Sequence, residues 1–150
     1  PASPILSGLV GSEMCIRDSN YIRTADDLLN NLNSKSTQIV DARPNGRFRG
    51  SEEEPRPGCR SGHIPNSFNL PFDHLIDPQT KTLLPQDALR KRYKNVGIDI
   101  NQPVITSCGS GVTACILALG MHVMEKPNVA VYDGSWSEWG TKADLPIQTG

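Results

Sequence analysis

The chain predicts an α/β domain with a mainly parallel central sheet and helices on both of its faces. Three observations carry this expectation. Short β-branched apolar runs stand at 38–42, 103–107 and 129–132. Each has consecutive apolar residues at its centre rather than strict alternation, which suits strands buried on both faces. Between them lie segments with helical patterning, and strands alternating with helices imply crossover connections and a layered architecture. At 150 residues the chain suits one domain with a single core.

Taken in order, Thr24-Ala25-Asp26-Asp27-Leu28-Leu29 opens a short helix, with Thr24 as N-cap and two acids in the first turn. Residues 38–42 form the first buried strand. Residues 43–66 predict no regular structure, because Gly, Pro and charged residues dominate there. So long a loop in a compact domain is functional or disordered. Residues 67–70 read as a second strand closed by Pro71, and 85–93 as a helix with Pro85 near its start. The strand at 103–107 leads through a glycine-rich loop into a helix at 112–124, and 129–132 returns as a strand. Ligands of such sheets bind beyond the carboxyl ends of the strands, which is where Cys108 falls. Residues 1–19 match none of this; they read as a non-native extension or a linker remnant, which leaves 20–150 as the domain. Their apolar stretch has no preceding basic residue, so it is not a secretory signal.

Charge and composition exclude several functions. A net charge of −1 gives no reason to expect nucleic acid or an acidic membrane as partner, and no apolar run reaches the length of a membrane span. Cys15, Cys59, Cys108 and Cys115 are irregularly spaced with no C-x-x-C, so neither a disulfide framework nor a zinc site is expected, and the three histidines are scattered. A reducing cytoplasm fits this cysteine usage.

The most informative run is Cys108-Gly109-Ser110-Gly111-Val112-Thr113-Ala114. A strand ending in a tight loop on a helix N-terminus aims backbone N–H groups and the positive end of the helix dipole at one point. A cysteine placed there is favoured as the thiolate. A free cysteine is more commonly a buried structural residue. The two glycines argue otherwise, since close backbone approach is needed only if something is to be cradled. Cys115, further along the helix, reads as a core thiol.

This loop resembles the active-site loop of the rhodanese superfamily, in the form typical of 3-mercaptopyruvate sulfurtransferases. The resemblance extends to Asp41-Ala42-Arg43, Gly46-Arg47-Phe48-Arg49-Gly50, Glu54-Pro55-Arg56, Gly62-His63-Ile64-Pro65 and Asp133-Gly134-Ser135-Trp136-Ser137-Glu138-Trp139, in the family's order, across roughly 21–146. It implies a rhodanese-like three-layer domain. It further implies that Cys108 is the nucleophile, that the N–H groups of Gly109, Ser110, Gly111, Val112 and Thr113 stabilise a persulfide, and that Ser110 relays a proton. Arg47 and Arg56 would hold the carboxylate and keto oxygens of 3-mercaptopyruvate, a task suited to the planar guanidinium fork. Arg43 would pair with a carboxylate near the strand end. Arg49 and Arg60 read as solvated, balanced by Glu52, Glu53 and Glu54. His63 shapes the fold, Asn66 takes a left-handed position where the family has glycine, and Trp136 and Trp139 pack beside the site. His74 and His122 read as ordinary.

The implied reaction passes sulfur from 3-mercaptopyruvate through a Cys108 persulfide to a thiol acceptor such as thioredoxin, or to cyanide, with no cofactor and no metal. Two alternatives stand beside it: thiosulfate as donor, and a non-catalytic binding module. Thiosulfate-using relatives usually carry charged residues directly after the cysteine, where this chain has Gly109 and Ser110. Inactive modules usually lose the cysteine. Phosphatase chemistry is not expected, because position 114 is alanine, where such loops need an arginine to clamp the phosphoryl oxygens, and Ser107 rather than a histidine precedes Cys108. Enzymes of this kind are normally two such domains in tandem with the catalytic one second, so the resemblance also implies an N-terminal rhodanese-like domain that this chain does not contain.

Overall fold

The structure, a computed structural model, describes residues 20–150; the extension expected at 1–19, with Cys15, lies outside them. The elements are β1 (Ile22–Arg23), α1 (Ala25–Ser34), β2 (Gln38–Asp41), α2 (Asn45–Arg49), β3 (Ser67–Asn69), a 3-10 turn (Phe72–Leu75), α3 (Gln86–Asn95), β4 (Val104–Ser107), α4 (Ala114–Val123), β5 (Val129–Tyr132) and α5 (Ser135–Trp139). All five strands are parallel, in the order β1-β5-β4-β2-β3.

Helix α1 starts as its sequence requires. The Thr24 hydroxyl accepts the Asp27 N–H at 3.3 Å, and the Asp27 carboxylate accepts the Thr24 N–H at 2.8 Å, so two otherwise orphaned donors are satisfied reciprocally. The sheet separates two apolar layers by simple alternation. Val40 and Val104 point into one, with Leu117 and Met121 of α4 and Leu89 and Tyr93 of α3. Ile39 and Ile105, one residue along each strand, point into the other, with Leu28 of α1 and Trp136 and Trp139 of α5. Each of these large side chains, fully buried, contributes roughly 1.5–3 kcal/mol through removal of apolar surface from water. The expected three-layer α/β arrangement is therefore present.

Three elements depart from the expectation. The 43–66 segment is not wholly irregular, since it holds α2, bounded by Pro44 before it and by Gly50 at φ +80° after it. Helix α5 occupies what sequence patterning left unassigned. Strand β1 has only two residues, too short for any period to show.

The topology places the site. From β2 the chain moves outward to β3, then returns to β4 on the other side of β2. Connections leave in opposite directions at the carboxyl ends of β2 and β4, and a crevice opens there. The Asp41–Ser107 register, extended by the Ala42 N–H to the Ser107 carbonyl at 2.8 Å, sets Ala42-Arg43 directly beside Cys108.

Candidate active site

Cys108 lies at the base of a cavity of about 310 Å³ in this crevice, together with Arg47, Arg56, Gly109, Ser110 and Thr113. The thiol is buried, 1% exposed, and its Sγ accepts the Gly111 N–H at 2.9 Å. Among the described residues no other backbone N–H donates to that sulfur. Gly111 sits at φ +93°, and a Cβ there would come within 2.6 Å of the Asp133 carbonyl oxygen, so glycine is required on both counts.

The loop is held from behind by α5. The Trp136 and Ser137 N–H groups donate to the Cys108 and Gly109 carbonyls at 2.9 and 2.8 Å. The Cys108 N–H donates to the Ser135 hydroxyl at 3.1 Å, and that hydroxyl donates to the Tyr132 carbonyl at 2.8 Å. Both loop carbonyls are thus engaged by α5. Ser135 adopts φ +50° to make this turn.

The arginines divide by partner. Arg43 is buried: Nε and Nη2 donate to Asp41 at 3.0 and 2.8 Å, Nη1 to Glu54 at 2.6 Å, and Nη2 also to the Gly62 carbonyl at 2.8 Å. Its guanidinium stacks 4.6 Å from the Trp136 ring centroid. This is the expected structural pairing with a second carboxylate added. Arg47 donates through Nε and Nη2 to Glu54 at 3.2 and 2.7 Å. That hydrogen bond is the main reason its guanidinium is held above its ordinary value, with partial burial opposing. Its Nη2 lies so close over the loop that a Cβ on Gly109 would be 3.0 Å from it. Arg56 is exposed on the cavity wall, and its side chain makes no hydrogen bond to the described residues. Ser110 is exposed at the cavity margin.

Several expectations are corrected. Glu54 is not a solvated counter-charge; its side chain is 2% exposed and bridges two arginines. Arg60 is not solvated either. It donates to the Trp139, Gly140 and Lys142 carbonyls at 3.1, 3.0 and 2.5 Å, pinning the C-terminal end of α5. Cys115 is exposed rather than a core thiol, its Sγ donating to the Gly111 carbonyl at 3.4 Å. Trp136 and Trp139 pack beside the site as expected, buried behind the cysteine loop. Arg49 is exposed as expected, and Asn66 takes φ +61°. His63 shapes the fold: its Nδ1 lies 2.7 Å from the Phe48 carbonyl and its ring stacks on Phe48 at 3.8 Å. Burial pushes its pKa down. Among the described residues no group of three or more His, Cys, Asp or Glu side chains is placed to hold a metal ion.

A parallel α/β sheet with a cysteine loop at its switch point and arginines opposite defines a class, and the sequence agrees. The chain belongs to the rhodanese-like domain family, which it matches over residues 24–142. Within that family it is 48% identical over 130 residues to the mitochondrial thiosulfate/3-mercaptopyruvate sulfurtransferase 1 of Arabidopsis thaliana, covering 87% of this chain and 34% of that one. It is 42% identical over 144 residues to the 3-mercaptopyruvate sulfurtransferase of Rattus norvegicus, covering 93% and 48% respectively. The crystal structure of the Tum1 protein from Saccharomyces cerevisiae superposes with a TM-score of 0.79 at 36% identity, over 88% of this chain and 47% of that one. The match falls on the C-terminal half of such relatives, and the chain spans about a third to a half of their length. Among the described residues no helix is long and apolar enough to cross a membrane.

Proposed function

We propose that this domain transfers the sulfur of 3-mercaptopyruvate through a persulfide on Cys108 to a thiol acceptor. One observation carries the reading: the Cys108 sulfur lies at the base of a cavity whose wall holds the Arg56 side chain and the Nη1 edge of Arg47, neither hydrogen-bonded by the described residues, with uncharged Gly109 and Ser110 beside it. A small α-keto acid has one carboxylate and one keto oxygen to offer those two guanidinium groups.

In the first step the Cys108 thiolate attacks the substrate sulfur. An S–S bond forms, the C–S bond breaks, and its electron pair leaves on carbon as the enolate of pyruvate. Ser110, at the cavity margin, hands that enolate a proton. The N–H groups of residues 109–113 face the new persulfide, and Gly111 already donates to the inner sulfur. In the second step an acceptor thiolate, from a small thiol or a protein such as thioredoxin, or else cyanide, takes the outer sulfur and restores Cys108. Splitting one transfer into two is nucleophilic catalysis and needs no metal ion.

We take residues 20–150 as this catalytic domain and an N-terminal rhodanese-like domain as its partner, working in a reducing compartment, the cytoplasm in our reading. Thiosulfate is the second donor considered, because the Arabidopsis relative is named for both donors. The test is Cys108→Ser, whose hydroxyl forms no persulfide. Pyruvate release from 3-mercaptopyruvate should vanish while the circular dichroism spectrum is retained, and substantial remaining activity would remove Cys108 from the chemistry. Faster turnover of thiosulfate than of 3-mercaptopyruvate by the unmodified chain would reverse the donor assignment.

A further inference from the structure

Among the described residues Glu54 is the carboxylate that pairs with Arg47, and its side chain is buried. Its Oε2 accepts from Arg47 Nη2 at 2.7 Å, while its Oε1 accepts from Arg47 Nε at 3.2 Å and from Arg43 Nη1 at 2.6 Å. Arg43 is itself fixed by Asp41 at the end of β2, the strand that pairs with the strand leading into Cys108. Glu54 therefore connects the cysteine-bearing sheet edge to Arg47 through charged hydrogen bonds sheltered from water, where such bonds are strongest.

Two consequences follow from this geometry. First, Glu54 occupies the Nε–Nη2 edge of Arg47, so only the Nη1–Nη2 edge remains for a ligand, and it cannot rotate away without breaking two hydrogen bonds. Second, Arg56 follows Glu54 by two residues across Pro55, whose ring fixes one backbone torsion and which also lines the cavity. Anchoring Glu54 thus limits where Arg56 begins.

We infer that Glu54 is the positioning residue for carboxylate-bearing donors, holding Arg47 directly and Arg56 through Pro55, without touching the donor itself. The inference rests on the donor class proposed above, and its test separates the two. A donor lacking a carboxylate, such as inorganic polysulfide, needs Cys108 and its loop but neither arginine.

The experiment follows sulfur loading of Cys108 by intact mass over a range of donor concentrations, using the full chain and Glu54→Gln. With 3-mercaptopyruvate the variant's half-saturating concentration should rise roughly tenfold, the scale of one lost charge-assisted hydrogen bond, with a smaller effect on the saturated rate. With polysulfide the loading rate should match that of the unmodified chain. Equal slowing with both donors would make Glu54 a merely structural residue, and an unchanged half-saturating concentration would also overturn the inference. Should Glu54→Gln fail to fold, Glu54→Asp keeps the charge while shortening its reach. It should raise the same half-saturating concentration and spare polysulfide loading, and an unmoved value in that variant overturns the inference. Failure of the unmodified chain to load from 3-mercaptopyruvate, with polysulfide loading intact, would instead overturn the donor assignment.

Discussion

Arg47 and Arg56 face the same cavity but are prepared differently. Arg47 is half committed to Glu54, while Arg56 is exposed and without a hydrogen-bond partner among the described residues. Arg56 therefore has the more direct readout. Arg56→Lys keeps the charge and loses the planar fork, so the Michaelis constant for 3-mercaptopyruvate should rise about tenfold to a hundredfold, given roughly 1.5–3 kcal/mol for such hydrogen bonds. Steady-state kinetics with that variant checks it, and an unchanged constant would take Arg56 out of the site. The sequence grouped Cys108, Arg47 and Arg56 through short motifs of the family it resembles, and all three line one cavity. The burial of Glu54 was not legible there. It stands beside Glu52 and Glu53 in an acidic run, and only closure of the loop onto Arg43 separates the buried carboxylate from the two exposed ones. Cys115 misled for a related reason: its helix is apolar nearly all round, so periodicity did not distinguish the face that meets solvent.

At the scale of elements, strands β2 to β5 and the longer helices followed from composition and capping, as Thr24 and its capping box illustrate, while two-residue β1 did not. Nor did the short helices. Helix α2 carries Arg47 and has five residues, too few for a period, although Pro44 before it and Gly50 after it form a start-and-stop signal. Helix α2 is also held at its end by His63, which meets the Phe48 carbonyl. Because burial lowers the His63 pKa in the folded chain, the unfolded chain binds the extra proton. Stability at this residue should thus be full above the unfolded histidine value of about 6.5 and fall as pH drops below it. Thermal unfolding midpoints of the chain and of His63→Gln, measured from about pH 7.5 to 5, should show the steeper decline in the unmodified chain. Parallel curves would mean that His63 does not contribute to acid sensitivity.

At the scale of the whole molecule, the fold delivers one arrangement: a switch point between β2 and β4, a cysteine loop backed by α5, and an arginine loop folded over it. The three-layer class was legible because apolar strand centres alternate with helical segments, whereas the closure of the 43–66 loop depends on side-chain pairings within it, Arg43 and Arg47 with Glu54, and on Arg60 reaching carbonyls about eighty residues away, none of which has a local pattern. In the proposed mechanism Ser110 passes a proton to the enolate, and the proposed N-terminal domain would supply the groups that complete this relay. Adding a matching N-terminal domain, fused or in trans, should raise turnover, within the 10²–10⁴-fold that one positioned acid–base group typically contributes. Turnover by the single domain equal to that of a two-domain enzyme would mean that Ser110 and solvent suffice. The central claim is that sulfur resides on Cys108 between the two steps. Its most direct measurement is the mass of the chain after brief exposure to 3-mercaptopyruvate without acceptor, with peptide mapping of the added sulfur. The account predicts one additional sulfur atom on Cys108, removed by dithiothreitol and absent from Cys108→Ser. No added mass, or sulfur found equally on Cys59 and Cys115, would contradict it.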